Sequence, residues 1–319
     1  MSGTDAFRLW QPRRTIDGCS AVLLPFLADA TIDWDGFDAQ LDRTIAAGLR
    51  PAVNMDTGHV HLLDPPDKAR VLDVCAEHAT PGWFAGAVVR DEPGAAFEAK
   101  ALAAECESIA RRGGVPVIFP SFGLGAQDDD SWLDAHRTMS EHADTFVAFE
   151  LGTTFHPAGR IVNLDVYAGL LEIQACVGAK HSSLEREPEW ARLVLRDEHR
   201  PEFRVFTGND LAIDMVMFGS DYLLGLSTFA PDAFAARDEM WARGDAGFFA
   251  LNDALQYLGQ IAFRPPVPAY RHSAAQFLHL RGWLTHDNVG PGEPTRPEAD
   301  KELLAPIVAR IDALVATAS

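Results

Sequence analysis

The chain has 319 residues, 47% of them hydrophobic, and a formal net charge of −19 at pH 7. That length supports a sizeable core and argues against a small disulfide-stapled module. The acidic balance, with a sequence pI near 4.9, argues against nucleic acid and anionic membrane surfaces as partners.

Residues 1–14 read as a polar tail or a short cap, without the apolar h-region of a secretory leader. Cys19–Phe26 is a first strand. Asp33 is placed to cap a helix over Trp34–Ala47, with Phe37, Leu41 and Ile45 at helical spacing and Gly48 ending it. Leu49–Met55 is a second strand, followed by Asp56-Thr57-Gly58-His59. A helix over Lys68–His78 leads to a third strand, Trp83–Val89. A helix over Ala95–Arg112 leads to a fourth, Val115–Pro120. Ser131–Asp144 is helical and Thr145–Leu151 a fifth strand. Leu164–Gln174 is helical and Ala175–Lys180 a sixth strand. Glu189–Asp197 precedes a seventh strand, Phe203–Gly208, and Leu211–Phe218 an eighth, Asp221–Thr228. Helices over Ala233–Arg243, Phe248–Gln260, Ala274–Leu280 and Asp300–Ala318 finish the chain.

Strands this apolar, separated by amphipathic helices, imply a parallel sheet covered on both faces. Eight such units within residues 15–243 point to an α/β fold, a (β/α)8 TIM barrel, with residues 244–319 as a C-terminal helical segment. An open doubly wound sheet is the alternative, but no GxGxxG follows the first strand. The four cysteines, Cys19, Cys75, Cys106 and Cys176, are scattered without a CxxC pair. Together with the lack of a leader or of a run of about 18 apolar residues, they suggest a reduced, cytoplasmic chain.

Barrels of this type carry their chemistry at the C-terminal ends of the strands. That rule selects Asp56, Thr57, Gly58 and His59 after the second strand and Glu150 on the fifth. It also selects Lys180 at the end of the sixth, Gly208, Asn209 and Asp210 after the seventh, and Ser227 and Thr228 on the eighth. Lys180 ends an apolar run, where desolvation leaves more of its amine neutral and able to attack a carbonyl. The bland alternative is a lysine that snorkels to water and pairs with a carboxylate. Glu150 lies inside Phe146-Val147-Ala148-Phe149-Glu150-Leu151, so it needs a partner or a raised pKa. Lys180, one strand over, is the expected partner; a protonated Glu150 would instead be a general acid or base. Thr57-Gly58 also reads as a turn, and Asp210 as a helix cap.

The chain resembles the dihydrodipicolinate synthase and N-acetylneuraminate lyase family. Leu24-Pro25-Phe26 with Ile32-Asp33-Trp34 is similar to that family's opening "TPF…vDw". Val177-Gly178-Ala179-Lys180-His181-Ser182-Ser183 is similar to its "vGiKdsS", and Phe206-Thr207-Gly208-Asn209-Asp210 to its "sGdD". Gly219-Ser220-Asp221 through Ala230-Pro231 is similar to "GadGvis…nvaP". The resemblance implies a class I aldolase on a (β/α)8 barrel with Lys180 as the Schiff-base amine and no cofactor. It also implies a 2-oxo acid such as pyruvate, or a sugar acid, as substrate, and a homodimer or homotetramer.

The family's carboxylate-binding "GTTGE" appears as Met55-Asp56-Thr57-Gly58-His59. Thr57 then takes the carboxylate-holding position, and Asp56 replaces a relay threonine. The strand-five acid/base tyrosine falls near Phe149 or Glu150, or on Phe155 if Gly159-Arg160 sets the alignment. Its partner tyrosine is replaced at Pro120-Ser121-Phe122. A phenylalanine cannot move a proton. The expectation is therefore that Asp56 and Glu150, with His59 nearby, take over the relay, while Gly58, His59, Gly208 and Asn209 bind substrate. Arg160 is assigned either to a substrate carboxylate or to a surface ion pair. The activity expected is a lyase or dehydratase rather than dihydrodipicolinate synthesis. Two other readings stand beside it. One is a metal-dependent hydrolase using His59-x-His61 with His181, His272 and Asp287. The other is a barrel that binds a ligand without turning it over.

Overall fold

The structure, a computed structural model, describes residues 5–317. Residues 1–4 of the expected tail, residue 318 at the end of the expected last helix, and residue 319 lie outside the described residues. The strands are β1 (Gly18–Ala21), β2 (Arg50–Val53), β3 (Phe84–Ala87), β4 (Val115–Ile118), β5 (Phe146–Leu151), β6 (Cys176–Ser182), β7 (Arg204–Thr207) and β8 (Asp221–Leu224). They close a barrel in sequence order. Every residue of β1, β3 and β8 is buried, which is why the strands read as unbroken apolar or small-residue runs instead of alternating ones.

The helices are α1 (Trp34–Ala46), α2 (Pro65–His78), α3 (Ala99–Ala110), α4 (Phe122–Gly125), α5 (Asp129–Met139), α6 (Leu164–Leu171), α7 (Arg186–His199), α8 (Pro231–Arg243), α9 (Gly247–Ala262), α10 (Tyr270–Leu280) and α11 (Asp300–Ala316). The Asp33 carboxylate accepts from the Gly36 amide at 2.9 Å and caps α1 as expected. Gly48 adopts φ +81° beyond the helix end, where a side chain would be strained. The expected helix at 211–218 is a 3₁₀ turn, Ile213–Phe218. The eighth strand stops at Leu224, and the sixth runs two residues past Lys180.

Contacts divide the chain into two compact units. One comprises Met1–Gln11 and Ala79–Leu223, the other Pro12–His78 and Leu224–Ser319. In the first, Leu9 of the turn Ala6–Leu9 packs with Leu193, Val205, Ala212 and Met215. The turn Ala6–Leu9 thus caps α7. In the second, the C-terminal helices expected as a separate segment group with β1 and β2. Leu251, Leu255 and Leu258 of α9 and Leu304, Ile307 and Ile311 of α11 form buried faces.

His136 on α5 is a buried titratable group that the sequence did not single out. It is 1% exposed and packs tilted against Trp132, with ring centroids 3.9 Å apart. Its Nδ1 donates to the Trp132 carbonyl at 2.8 Å. Burial pushes its pKa down to about 4. The folded state therefore favours the neutral ring. The resulting stability is complete above the unfolded-state pKa of roughly 6.5 and is lost as pH falls towards about 4. Over that window the loss should be about 3 kcal/mol. Urea midpoints should fall more steeply with acid for the wild type than for His136→Gln, and parallel curves would contradict the assignment.

Candidate functional site at the strand ends

Strand register decides what surrounds the lysine. Phe149 of β5 is paired with Lys180 of β6, and Glu150 with His181. Because side chains alternate across a strand, Phe149 and Lys180 share one face while Glu150 and His181 share the other. Lys180 Nζ lies 4.4 Å from the centre of the Phe149 ring. Phe119 meets that ring edge-on at 5.1 Å. Lys180 itself is partly buried. The strand-five residue on the lysine's face is therefore Phe149, not Glu150 or Phe155.

The expected pairing of Glu150 with Lys180 is corrected. Glu150 is fully buried on the opposite face and receives Arg192 of α7 through two 2.5 Å hydrogen bonds. His181 Nδ1 reaches it at 2.9 Å and the Val162 amide at 3.1 Å. Burial would raise the carboxyl's pKa, but His181 and Arg192 hold it below its ordinary value. An ionised carboxylate so enclosed fastens helix to barrel, and it has no proton to give. The signal for this lies in α7, where Glu189, Arg192 and Arg196 recur on the face that carries buried Leu193. Glu189 is itself buried, accepting from the hydroxyls of Thr207 and Ser220, and burial raises its pKa.

At the end of β7, Gly208 is required by close approach. A Cβ there would stand 2.7 Å from Lys180 Cε and 2.0 Å from Ser182 Oγ. Asn209 is 1% exposed. Its side-chain oxygen accepts from the Leu211 amide at 3.0 Å, while its Nδ2 has no hydrogen-bond partner among the described residues. A buried amide donor left in this way is suited to a ligand oxygen. Arg160 takes the ion-pair alternative, bonding to Asp129 and to the Gln127 carbonyl at 2.7 Å. Ser227 and Thr228 lie beyond β8 in the turn Leu226–Phe229, where their hydroxyls bind Leu224 O and the Leu23 amide.

At the end of β2 the expected residues meet partners that the sequence reading missed. Asp56, Thr57 and Gly58 form a 3₁₀ turn, and His59 follows at φ +53°. Tyr270 and Arg271, from the first turn of α10, reach this turn. The Tyr270 hydroxyl lies 2.9 Å from both Thr57 Oγ1 and Asp56 Oδ2. Arg271 binds Asp56 Oδ2 at 2.9 Å and also binds Glu293. Desolvation works to raise the Asp56 pKa. With 59% of that side chain exposed, the pull of Arg271 and Tyr270 prevails and the carboxyl stays below its ordinary value.

His59 is fully buried, and burial lowers its pKa, so its ring is neutral near pH 7. It lies 3.5 Å from Glu293 without hydrogen-bond geometry, and its ring meets Phe26 edge-on. Both ring nitrogens are buried without a hydrogen-bond partner among the described residues. His61 binds Glu293 at 2.6 Å, His272 accepts from the Arg296 amide, and Asp287 binds Lys301. Among the described residues, no group of three or more His, Cys, Asp or Glu side chains could hold a metal ion. The donor set of the hydrolase reading does not converge. The four cysteines are free and buried, and no described helix is long and apolar enough to cross a membrane.

No protein-family model matches the chain, and no curated protein matches it in sequence. Its fold is similar to that of solved structures. YagE, a prophage protein of the dihydrodipicolinic acid synthase family from E. coli K12 in complex with pyruvate, matches at TM-score 0.80 and 15% identity. The match covers 93% of this chain and 98% of that one. A sialic acid aldolase from Ruminococcus gnavus matches at TM-score 0.78 and 15% identity, covering 96% and 100% of the two chains. The dihydrodipicolinate synthase of Acinetobacter baumannii, complexed with pyruvate, matches at 0.73 and 17% identity, covering 94% and 99%. At these identities the likeness shows a shared (β/α)8 fold.

If Glu150 is a structural anchor, Glu150→Gln strands a buried guanidinium and should cost about 3–5 kcal/mol in denaturant unfolding. Adding Arg192→Leu should recover part of that loss, and strictly additive losses would contradict the coupling.

Proposed function

We propose that the chain is a class I lyase, an aldolase or dehydratase, that holds a 2-oxo acid or sugar acid as a Schiff base on Lys180. One observation carries the reading. The lysine that the sequence marks as nucleophile stands on the Phe149 face of β6, and a glycine at 208 leaves room for its side chain. The fold shared with a sialic acid aldolase and with pyruvate-bound synthases supports the substrate class.

In this reading uncharged Nζ attacks the C2 carbonyl, and water leaves as the C=N bond forms. The Phe149 ring presents its electron-rich face to the nitrogen, which favours a cation there. The iminium is such a cation, so the ring stabilises the intermediate as well as the resting ammonium. The electron pair of the bond broken at the neighbouring carbon flows into the iminium, and hydrolysis later releases the product. The unpartnered Asn209 Nδ2 offers a hydrogen bond to a substrate oxygen. No separate cofactor is needed in this scheme.

The chain contains only four lysines, Lys68, Lys100, Lys180 and Lys301, so a trapped adduct is simple to locate. Borohydride reduction in the presence of pyruvate or other 2-oxo acids should add one substrate mass on the peptide that contains Lys180. Lys180→Ala should abolish the addition. Labelling confined to exposed Lys100, or no labelling by any 2-oxo acid, would reject the reading.

A further inference from the structure

Helices α9 and α11 pack against each other in the second unit and leave an apolar face turned to water. Of the six large hydrophobic side chains exposed among the described residues, three belong to this pair: Phe249 at 50%, Tyr257 at 60% and Leu303 at 53%. A groove of about 360 Å³ lies here, with Tyr257 and Ile261 from α9 and Leu303 and Pro306 from α11 in its lining. Its only charged lining residues are Glu302 and Arg310. Clustered apolar surface of this kind marks a contact site.

The charges identify the occupant. The chain holds 46 acidic and 27 basic residues, so two copies repel each other across most pairings of their surfaces. On such a chain a basic side chain finds acids readily, and Arg243, Arg264 and Arg281 of the same unit all bind them. Arg310 is exposed and binds none among the described residues, and Glu302 is exposed without a base. The two stand four residues either side of Pro306. Glu302, Pro306 and Arg310 therefore share one i±4 ridge of α11, with the charges about 12 Å apart along the axis. Turning that ridge end for end about Pro306 exchanges its acid and its base. A second copy laid across α11 on a two-fold axis at Pro306 thus sets each Glu302 against the other copy's Arg310, and the same pair forms twice. A parallel arrangement would set like charges together. Ala309 and Ala313 are exposed beside the ridge, and short side chains at a helix crossing let the axes approach closely.

We propose that α9 and α11 form an isologous dimer interface with a second copy of this chain, centred on Pro306 and set in register by reciprocal Glu302–Arg310 pairs. Tyr257 and Leu303 supply apolar area, and the ion pairs supply orientation. The dimer is independent of the chemistry at Lys180, and neither proposal falls with the other.

Sedimentation equilibrium of the full chain tests the interface. The wild type should dimerise. Glu302→Arg and Arg310→Glu each set like charges together twice, and each should raise the dimer dissociation constant by about tenfold at low salt. The chain carrying both reversals rebuilds the pairs with exchanged signs and should return to within about threefold of wild type. These side chains face water, so circular dichroism should show the fold unchanged. Cross-linking tests the axis. At an interaxial distance of roughly 8–10 Å, facing Cα atoms stand roughly 3.5–5.5 Å apart, within disulfide reach. The four native cysteines are buried, so oxidation of Pro306→Cys should give a dimer linked at that position alone, and adding Glu302→Arg should suppress it. A wild type that stays monomeric overturns the proposal. So does a dimer indifferent to the single reversals, a double variant whose losses add, or a failure of Pro306→Cys to cross-link.

Discussion

The alignment of two neighbouring strands governs how the first unit is built. Where β5 runs beside β6, one residue of slippage would exchange the partners of Lys180 and Glu150. The observed register puts an aromatic ring beside the amine and a carboxylate behind it. Glu150 then locks that register from the far side, because Arg192 and His181 satisfy it only when it faces α7. The buried ion pair is a costly way to hold a wall together, since two charges are taken out of water. It also keeps a carboxylate away from the amine, where a salt bridge would favour the unreactive ammonium. The same alternation that fills the barrel thus separates the Lys180 amine from Glu150.

The second unit solves a different problem. Asp56, Glu293 and Arg271 stand close together, with His59 neutral beside them. The guanidinium serves both carboxylates, and burial, which acts to raise the Glu293 pKa, is outweighed by His61 and Arg271, so Glu293 stays well below the ordinary range. Asp56 therefore remains ionised while still facing water. A tyrosine fixed between this carboxylate and a buried threonine gives the turn after β2 a defined polarity, which a flexible loop of the same composition would lack.

Much of this was legible in the sequence, for identifiable reasons. Eight apolar runs at regular spacing yield the barrel, because a strand buried on both faces cannot alternate. The motif around Lys180 marks the amine without the structure. Glu150 stands out as an anomaly in an apolar strand, but the sequence does not identify Arg192 and His181 as its partners. Adjacency in a barrel does not say which face a side chain takes, and the register that decides it is set by pairing. Arg192 could have been suspected from the charged stripe on α7. Tyr270 could not: it lies 214 residues from Asp56, and nothing in Ala269-Tyr270-Arg271 distinguishes it from an ordinary helix start. The eighth strand ends at Leu224, earlier than the sequence suggests, because Leu226–Phe229 is apolar enough to continue it although the chain turns there instead.

The central claim is that the face of β6 carrying Lys180 and bordered by Phe149 is where a substrate carbonyl is captured. A crystal structure of the protein reduced with borohydride in the presence of pyruvate tests it most directly. The account predicts continuous density from Lys180 Nζ to the substrate's C2, lying against Phe149, with Glu150 still bound to Arg192 behind the strand. Density that ends at Nζ, or Glu150 turned to the lysine's side, would contradict it.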